Sequence, residues 1–236
     1  MILKNSLIFL LLIAFAAILL SLFVNYQEPK DLGIVATHYA NNAKTEVGAP
    51  NIVSAIVVSY RGFDTLGEVV ILFLTAAIIG FMLKAKHNPN ESSNNPKHTG
   101  SEILQTAANA LVPIIIVFGA YIFVNGHLTP GGGFQGGAVI ASAFVLLFMA
   151  RSKSTVSHRI LNFAESISGF SFVFIGVLGI ILAAGFLDNT ILPLGIYGTI
   201  ISAGAIPLIY ILIGIKVGAE LTNIVSNLKE SQNIQL

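Results

Sequence analysis

Cysteine is absent from the 236 residues, and only 10% of them are Asp, Glu, Lys or Arg. Without cysteine the chain forms no disulfide, offers no thiolate nucleophile and holds no iron–sulfur cluster by itself, so redox chemistry around it belongs to a partner. Twelve Lys and Arg against eleven Asp and Glu leave a formal net charge of +1. That is too little basic surface to neutralise phosphates, which excludes nucleic-acid binding as a main activity. An ordinary soluble domain is about a quarter charged. What the chain has instead is apolar length: 55% of its residues are hydrophobic and its mean hydropathy is +0.84, gathered in long runs that a water-soluble core of this size does not hide. The composition implies an integral membrane protein.

Crossing about 30 Å of hydrocarbon takes about 20 helical residues. Six runs qualify: Leu7–Val24, Leu66–Leu83, Ile103–Val124, Phe134–Ala150, Ser166–Leu187 and Leu194–Ile215. Five contain no Lys, Arg, Asp or Glu, and the exception is Glu68 near the start of the second. Period-2 alternation is missing, which argues against an outer-membrane barrel. The expected fold is therefore an all-α integral membrane protein of six transmembrane helices. The first run follows Lys4 but is longer than the apolar core of a signal peptide, so it is expected to be retained.

An even number of spans puts both termini on one side. Lys4, Lys84, Lys86, Lys97, Arg151, Lys153, Arg159, Lys216 and Lys229 fall on that side, against Lys30, Lys44 and Arg61 opposite, while acidic residues divide almost evenly. By the positive-inside rule both termini are expected to be cytoplasmic. A polar stretch without hydrophobic period, HNPNESSNNPKHTGS over 87–101, reads as a linker. It divides a two-span unit, 1–86, from a four-span unit, 102–236, with no internal repeat relating them.

Two constellations stand out. The first is Arg61-Gly62-Phe63-Asp64-Thr65-Leu66-Gly67-Glu68 at the mouth of the second span. Thr65-x-x-Glu68 fits a capping box, a purely structural use. The functional use has the apolar stretch Asn51–Tyr60 re-entering the membrane or lying along it and drawing the cluster below the surface, where an ionisable side chain is a relay candidate. Asp64 and Glu68, four apart, share a helix face, so Arg61 can partner Asp64 while Glu68 exchanges protons or cations.

The second is Asn125-Gly126-His127-Leu128-Thr129-Pro130-Gly131-Gly132-Gly133-Phe134-Gln135-Gly136-Gly137, between spans three and four. Gly131, Gly133 and Gly136 satisfy GxGxxG, but they follow a membrane helix rather than a strand, and no P-loop Lys-Ser/Thr follows, so nucleotide binding is a false match. The glycines imply a tight turn and a helix start on which a neighbour packs closely. The functional alternative is that unwound backbone with His127 or Gln135 lines a hydrated path, although a lone loop histidine is more often solvated. Elsewhere Glu165 and Glu220 read as surface-paired charges flanking the last two spans. Gly214-x-x-x-Gly218 and Gly169 with Gly176 suit helix contacts. Pro113 and Pro207 inside spans predict kinks. His38, His87, His98, His127 and His158 are scattered without metal-ligand spacing, and neither a metal nor another cofactor is expected.

The Asn125–Gly137 motif carries a resemblance. Over most of 102–222 the chain is similar to the MnhB/MrpB family, membrane subunits of multisubunit Mrp-type cation/proton antiporters. Pro50-Asn51-Ile52-Val53 and Arg61-Gly62-Phe63-Asp64-Thr65-Leu66-Gly67-Glu68 make the two-span unit resemble the C-terminal end of the large MrpA subunit, a separate small subunit in membrane-bound hydrogenases and sulfur reductases. The resemblance implies a subunit without its own catalytic site, which bridges large proton-pumping subunits and helps form the Na+ path. It implies other antiporter subunits, Na+, H+ and membrane lipid as partners. It also implies Glu68 as an ion-path carboxylate and Pro130, Gly131, Gly132, Gly133, Phe134, Gly136 and Gly137 as a packing element. Relatives often carry an acidic residue two positions before the Arg, where Ser59 stands here. The fused arrangement also suits a hydrogenase or sulfur reductase, and a purely architectural subunit remains a further alternative.

Overall fold

In a computed structural model, residues 2–26, 31–85, 100–151 and 156–235 are described. The linker expected over 87–101 lies, except for Gly100 and Ser101, outside them. The described residues form helices α1 (Ile2–Asn25), α2 (Ile34–Asn42), α3 (Ile52–Ser54), α4 (Gly62–Ala85), α5 (Glu102–Val124), α6 (Gly133–Ala150), α7 (His158–Leu182) and α8 (Ile206–Gln235). Wide π-type turns occupy Ala43–Val47 and Ala55–Tyr60. Among the described residues no β-strand occurs, only an isolated bridge from Gly195 to Ser202. Six helices are long and apolar enough to cross a membrane: Asn5–Asn25, Gly62–Leu83, Glu102–Val124, Gly133–Ala150, His158–Leu182 and Ile206–Ser231. The chain is a multi-pass α-helical membrane protein.

Four of these agree with the runs read from hydropathy to within a few residues; the last two do not. α7 begins eight residues before the expected Ser166 and stops at Leu182, and α8 starts at Ile206 rather than Leu194. The reason is backbone geometry. Leu187, Gly195, Gly198, Ala203 and Gly204 all have positive φ, between 58° and 84°, which no right-handed helix accommodates. Residues 183–205 are apolar yet fold as turns, with one short 3₁₀ turn at Asn189–Ile191. Pro207 consequently sits in the first turn of α8, where its missing N–H costs nothing, and does not kink a span. The shift also carries Glu165, Lys216 and Glu220 into membrane helices.

The chain divides into two compact units, Met1–His38 and Tyr39–Leu236. In the first, every described side chain of α1 is exposed, as expected of a helix apolar all round. In the second, α8 is the central helix and packs against α4, α5, α6 and α7. Its approach to α6 depends on glycine: a Cβ on Gly133 would stand 2.6 Å from Ile213 Cβ, and one on Gly137 2.7 Å from Val217 Cβ. Gly136 meets α5 in the same way, at Gly119 O and Phe123. Backbones this close gain dispersion contacts that membrane helices rely on where no hydrophobic drive exists. Phe172, Ile206, Ile209, Tyr210, Ile213 and Val217 form the middle of the core, extended by Ala43, Val47, Ala55 and Val58 from the segment before α4.

Candidate functional site

α4, α6 and α8 start at one end of the bundle and α5 and α7 finish there; this is the loop end. Here the two sequence constellations meet. Asn51 donates through Nδ2 to Gly126 O at 2.8 Å and Thr129 O at 2.9 Å, and its backbone N–H bonds His127 O at 3.0 Å. Ser54, fully buried, donates to Gly126 O at 2.6 Å and accepts from Tyr210 Oη of α8 at 2.9 Å. The glycine-rich loop thus spends its carbonyls on Asn51–Ser54, because buried acceptors must be satisfied. A second knot lies beside it: Asn189 donates to Val47 O and Ala203 O and accepts from Ser59. Tyr60 stacks on Tyr39 and donates to Glu46 Oε2 at 2.6 Å; burial and that carboxylate both push the phenol above its ordinary range. Asp188 accepts from Thr190 and the Ala184 amide, and although burial works against its charge these bonds hold its carboxyl below the usual range.

The expected ion-path residues are placed apart. Arg61 pairs with Asp64 on the surface. Glu68, in the second turn of α4, is exposed and close enough to Tyr210 to act on it electrostatically. His127 is 0% exposed rather than solvated: Nε2 donates to Thr199 O at 3.3 Å, while Nδ1 has no well-placed partner. Burial lowers its pKa, against the opposing pull of the Thr199, Val124 and Ile200 carbonyls. Gln135 is exposed at the start of α6 and does not join His127. Pro130 is exposed in the loop, Gly131 is half-buried with Ile122 beside it, Gly132 is buried against Tyr210, and Phe134 packs on the core. The capping box is corrected as well. Thr65 lies inside α4, which starts at Gly62, and its hydroxyl donates back to Val57 O instead of accepting from a helix N–H.

The second polar cluster, in the half of the bundle remote from the loops, was not foreseen. Lys216 and Glu220 form an ion pair at 2.8 Å with side chains 6% and 0% exposed, which replaces the surface pairing expected for Glu220. The i, i+4 spacing was visible in the sequence; the helix boundary that buries it was not. Among the described residues no group of three or more His, Asp or Glu stands together as a metal site.

A polytopic bundle with a glycine-packed central helix and buried ionisable groups defines a membrane subunit of the ion-handling kind. The chain belongs to the family of domains related to the MnhB subunit of Na+/H+ antiporters, whose family model matches residues 103–223; the model of MbhE, a subunit of the membrane-bound hydrogenase, matches residues 6–99. An uncharacterised protein of Methanocaldococcus jannaschii is 30% identical over 231 residues, covering 88% of this chain and 84% of that protein. A Na+/H+ antiporter subunit of Bacillus subtilis is 37% identical over 89 residues, 38% of this chain and 57% of that protein. One chain of the membrane-bound sulfane sulfur reductase, an archaeal respiratory membrane complex, superposes with a TM-score of 0.78 at 37% identity, covering 96% of this chain and 98% of that one. A chain of the Mrp complex from a Dietzia species shares the fold, with a TM-score of 0.72 at 20% identity over 92% of this chain and 25% of that chain.

Proposed function

We propose that this chain is the MnhB-type membrane subunit of a multisubunit Mrp-type complex that exchanges monovalent cations, chiefly Na+, for protons. In this reading it has no catalytic site of its own, bridges larger proton-pumping subunits, helps form the cation path, and keeps both termini in the cytoplasm of a cell-membrane complex. The observation that carries the reading is the match of 103–223 to the MnhB-related domain. The second match, 6–99, supports reading 1–86 as a module joined through 87–101 to the four-span domain 102–236. Physics favours a shared path. One elementary charge crossing 100 mV is worth about 2.3 kcal/mol, so a relay needs protonatable groups without long gaps, and a chain with 10% charged residues supplies too few alone. Glu68, exposed on a span, is the carboxylate this chain offers to a neighbouring subunit.

A second reading has its own observation, the end-to-end likeness to one chain of the sulfane sulfur reductase. There the same module serves a redox complex whose metal centres lie in other chains, since this one has no cysteine. Co-purification of iron–sulfur subunits would select it. The functional test is Na+-dependent dissipation of an imposed pH gradient in inverted vesicles carrying the intact gene cluster or its Glu68→Gln form, with assembly followed on native gels. Exchange collapses with assembly intact if Glu68 is on the path. Exchange that survives gives this chain the role of an architectural bridge.

A further inference from the structure

Lys216 is enclosed on three sides. Its ammonium bonds Glu220 Oε2 at 2.8 Å and lies 5.4 Å from the centre of the Phe73 ring on α4, an arrangement that favours a cation. Its stem crosses α7 at Gly169, where an added Cβ would come within 3.5 Å of Cε. Glu165 precedes Gly169 by one helical turn, shares that face of α7, and acts electrostatically on both Lys216 and Glu220. Glu220 is fully buried, and its Oε1 has no hydrogen-bond partner among the described residues. Glu165 in turn lines a cavity of about 470 Å³ between α4, α7 and α8, together with Asn162, Ser166, Asn223 and Asn227. At the far rim His158 bonds Asn223 Oδ1 at 2.9 Å and Glu230 Oε1 at 2.8 Å.

The charges do not balance. Two carboxylates and one ammonium leave a net charge of −1 inside a membrane helix bundle, and an uncompensated charge there is costly. The other ionisable groups of the packed helices stand toward their ends: Asp64, Glu68 and Lys84 on α4, Glu102 and Tyr121 on α5, His158 and Arg159 on α7, Tyr210, Lys229 and Glu230 on α8, and none on α6. One further positive charge therefore restores neutrality. A proton suits the site better than a metal cation, because the amide oxygens of Asn162 and Asn223 are already engaged, by Asn223 Nδ2 and His158.

We propose that Glu165, Lys216 and Glu220 form a membrane-embedded proton-exchange site loaded through the asparagine-lined cavity. A hydronium in the cavity gives its proton to the Glu165 carboxylate and leaves as water; Lys216 is then held by Glu220 alone. Loss of that proton to water restores the shared ammonium. The site is distinct from the Glu68 cluster and does not depend on which complex houses the chain.

The test is carbodiimide labelling of the assembled complex in native membranes. Dicyclohexylcarbodiimide adds to protonated carboxyls in apolar surroundings, and mass spectrometry locates the N-acylurea. Label is expected on Glu165, falling about tenfold per pH unit above its midpoint, unaffected by Na+ at fixed pH. Lys216→Met should move the labelled range to higher pH, because the ammonium that favours the carboxylate is gone. Absence of label on Glu165 at every pH where the complex stays assembled overturns the proposal, as does protection by Na+, which would make this a metal-cation site. If the variant fails to assemble, the wild-type pH curve decides by itself.

Discussion

Arg61–Asp64 and Lys216–Glu220 are both opposite-charge pairs within a helical turn of each other, yet their surroundings differ as much as the molecule allows. The side chains of the first are 59% and 46% exposed, those of the second 6% and 0%. Water screens the first pair and would hydrate either partner alone. The second has given up hydration on both sides, so each charge exists only because the other does. A chain that admits few charges keeps one such pair in its central helix, and what that teaches is that burial rather than spacing sets the worth of a pair.

The sharpest way to break this comparison is to remove one partner of the buried pair. Lys216→Met leaves the Glu220 carboxylate without its counter-charge and should cost about 3–5 kcal/mol, read as loss of the chain from the assembled complex or a large drop in its thermal midpoint. Lys216→Met with Glu220→Gln removes both charges and should recover most of that stability. A double variant as unstable as the single one would mean that α8 needs the Lys216 stem over Gly169 more than the charge.

His127 refines the same contrast with a buried group that carries no partner charge. It is as enclosed as Glu220 but tolerates burial by staying neutral, its pKa lowered by desolvation. The unfolded chain binds a proton at about pH 6.5, the folded one only at lower pH, so between those two values the unfolded state holds more protons and stability falls as pH drops. Thermal unfolding of the complex should therefore shift down below about pH 6.5, and His127→Gln should flatten that limb. An unchanged limb in the variant would move the effect to another group.

These differences mark how far the sequence could be read. Spans one to four were legible because hydropathy and helix coincide there, and the glycines at 133, 136 and 137 signalled close packing because nothing else explains so many together. The last two spans were not, because a hydropathy window counts Ile196, Ile200 and Ile201 as membrane residues and cannot see the positive φ of Gly195, Gly198, Ala203 and Gly204 that makes them turns. With α8 misplaced, Lys216 and Glu220 fell outside the membrane and looked like surface charges. The junction of Asn51 and Ser54 with Gly126 joins residues more than 70 positions apart, a pairing no local pattern encodes. Each motif was found; their contact was not.

The smallest effect is expected where the charge was easiest to see. Arg61→Ala deletes a partner of an exposed pair, so Asp64 simply regains water, and the change in unfolding free energy should stay within about 1 kcal/mol. The helix beside it does not depend on the pair, because Thr65 ties α4 to Val57 O and Asn51 ties the preceding turn to the glycine-rich loop. The measurement is thermal unfolding at low and high salt. A small loss that disappears at high salt is what a screened surface pair gives, since charges separated by more than a Debye length of about 8 Å already ignore one another at physiological ionic strength. A loss of several kcal/mol that salt leaves unchanged would place Arg61 beside Lys216 as a desolvated charge and extend the low-dielectric region of the bundle to its loop end.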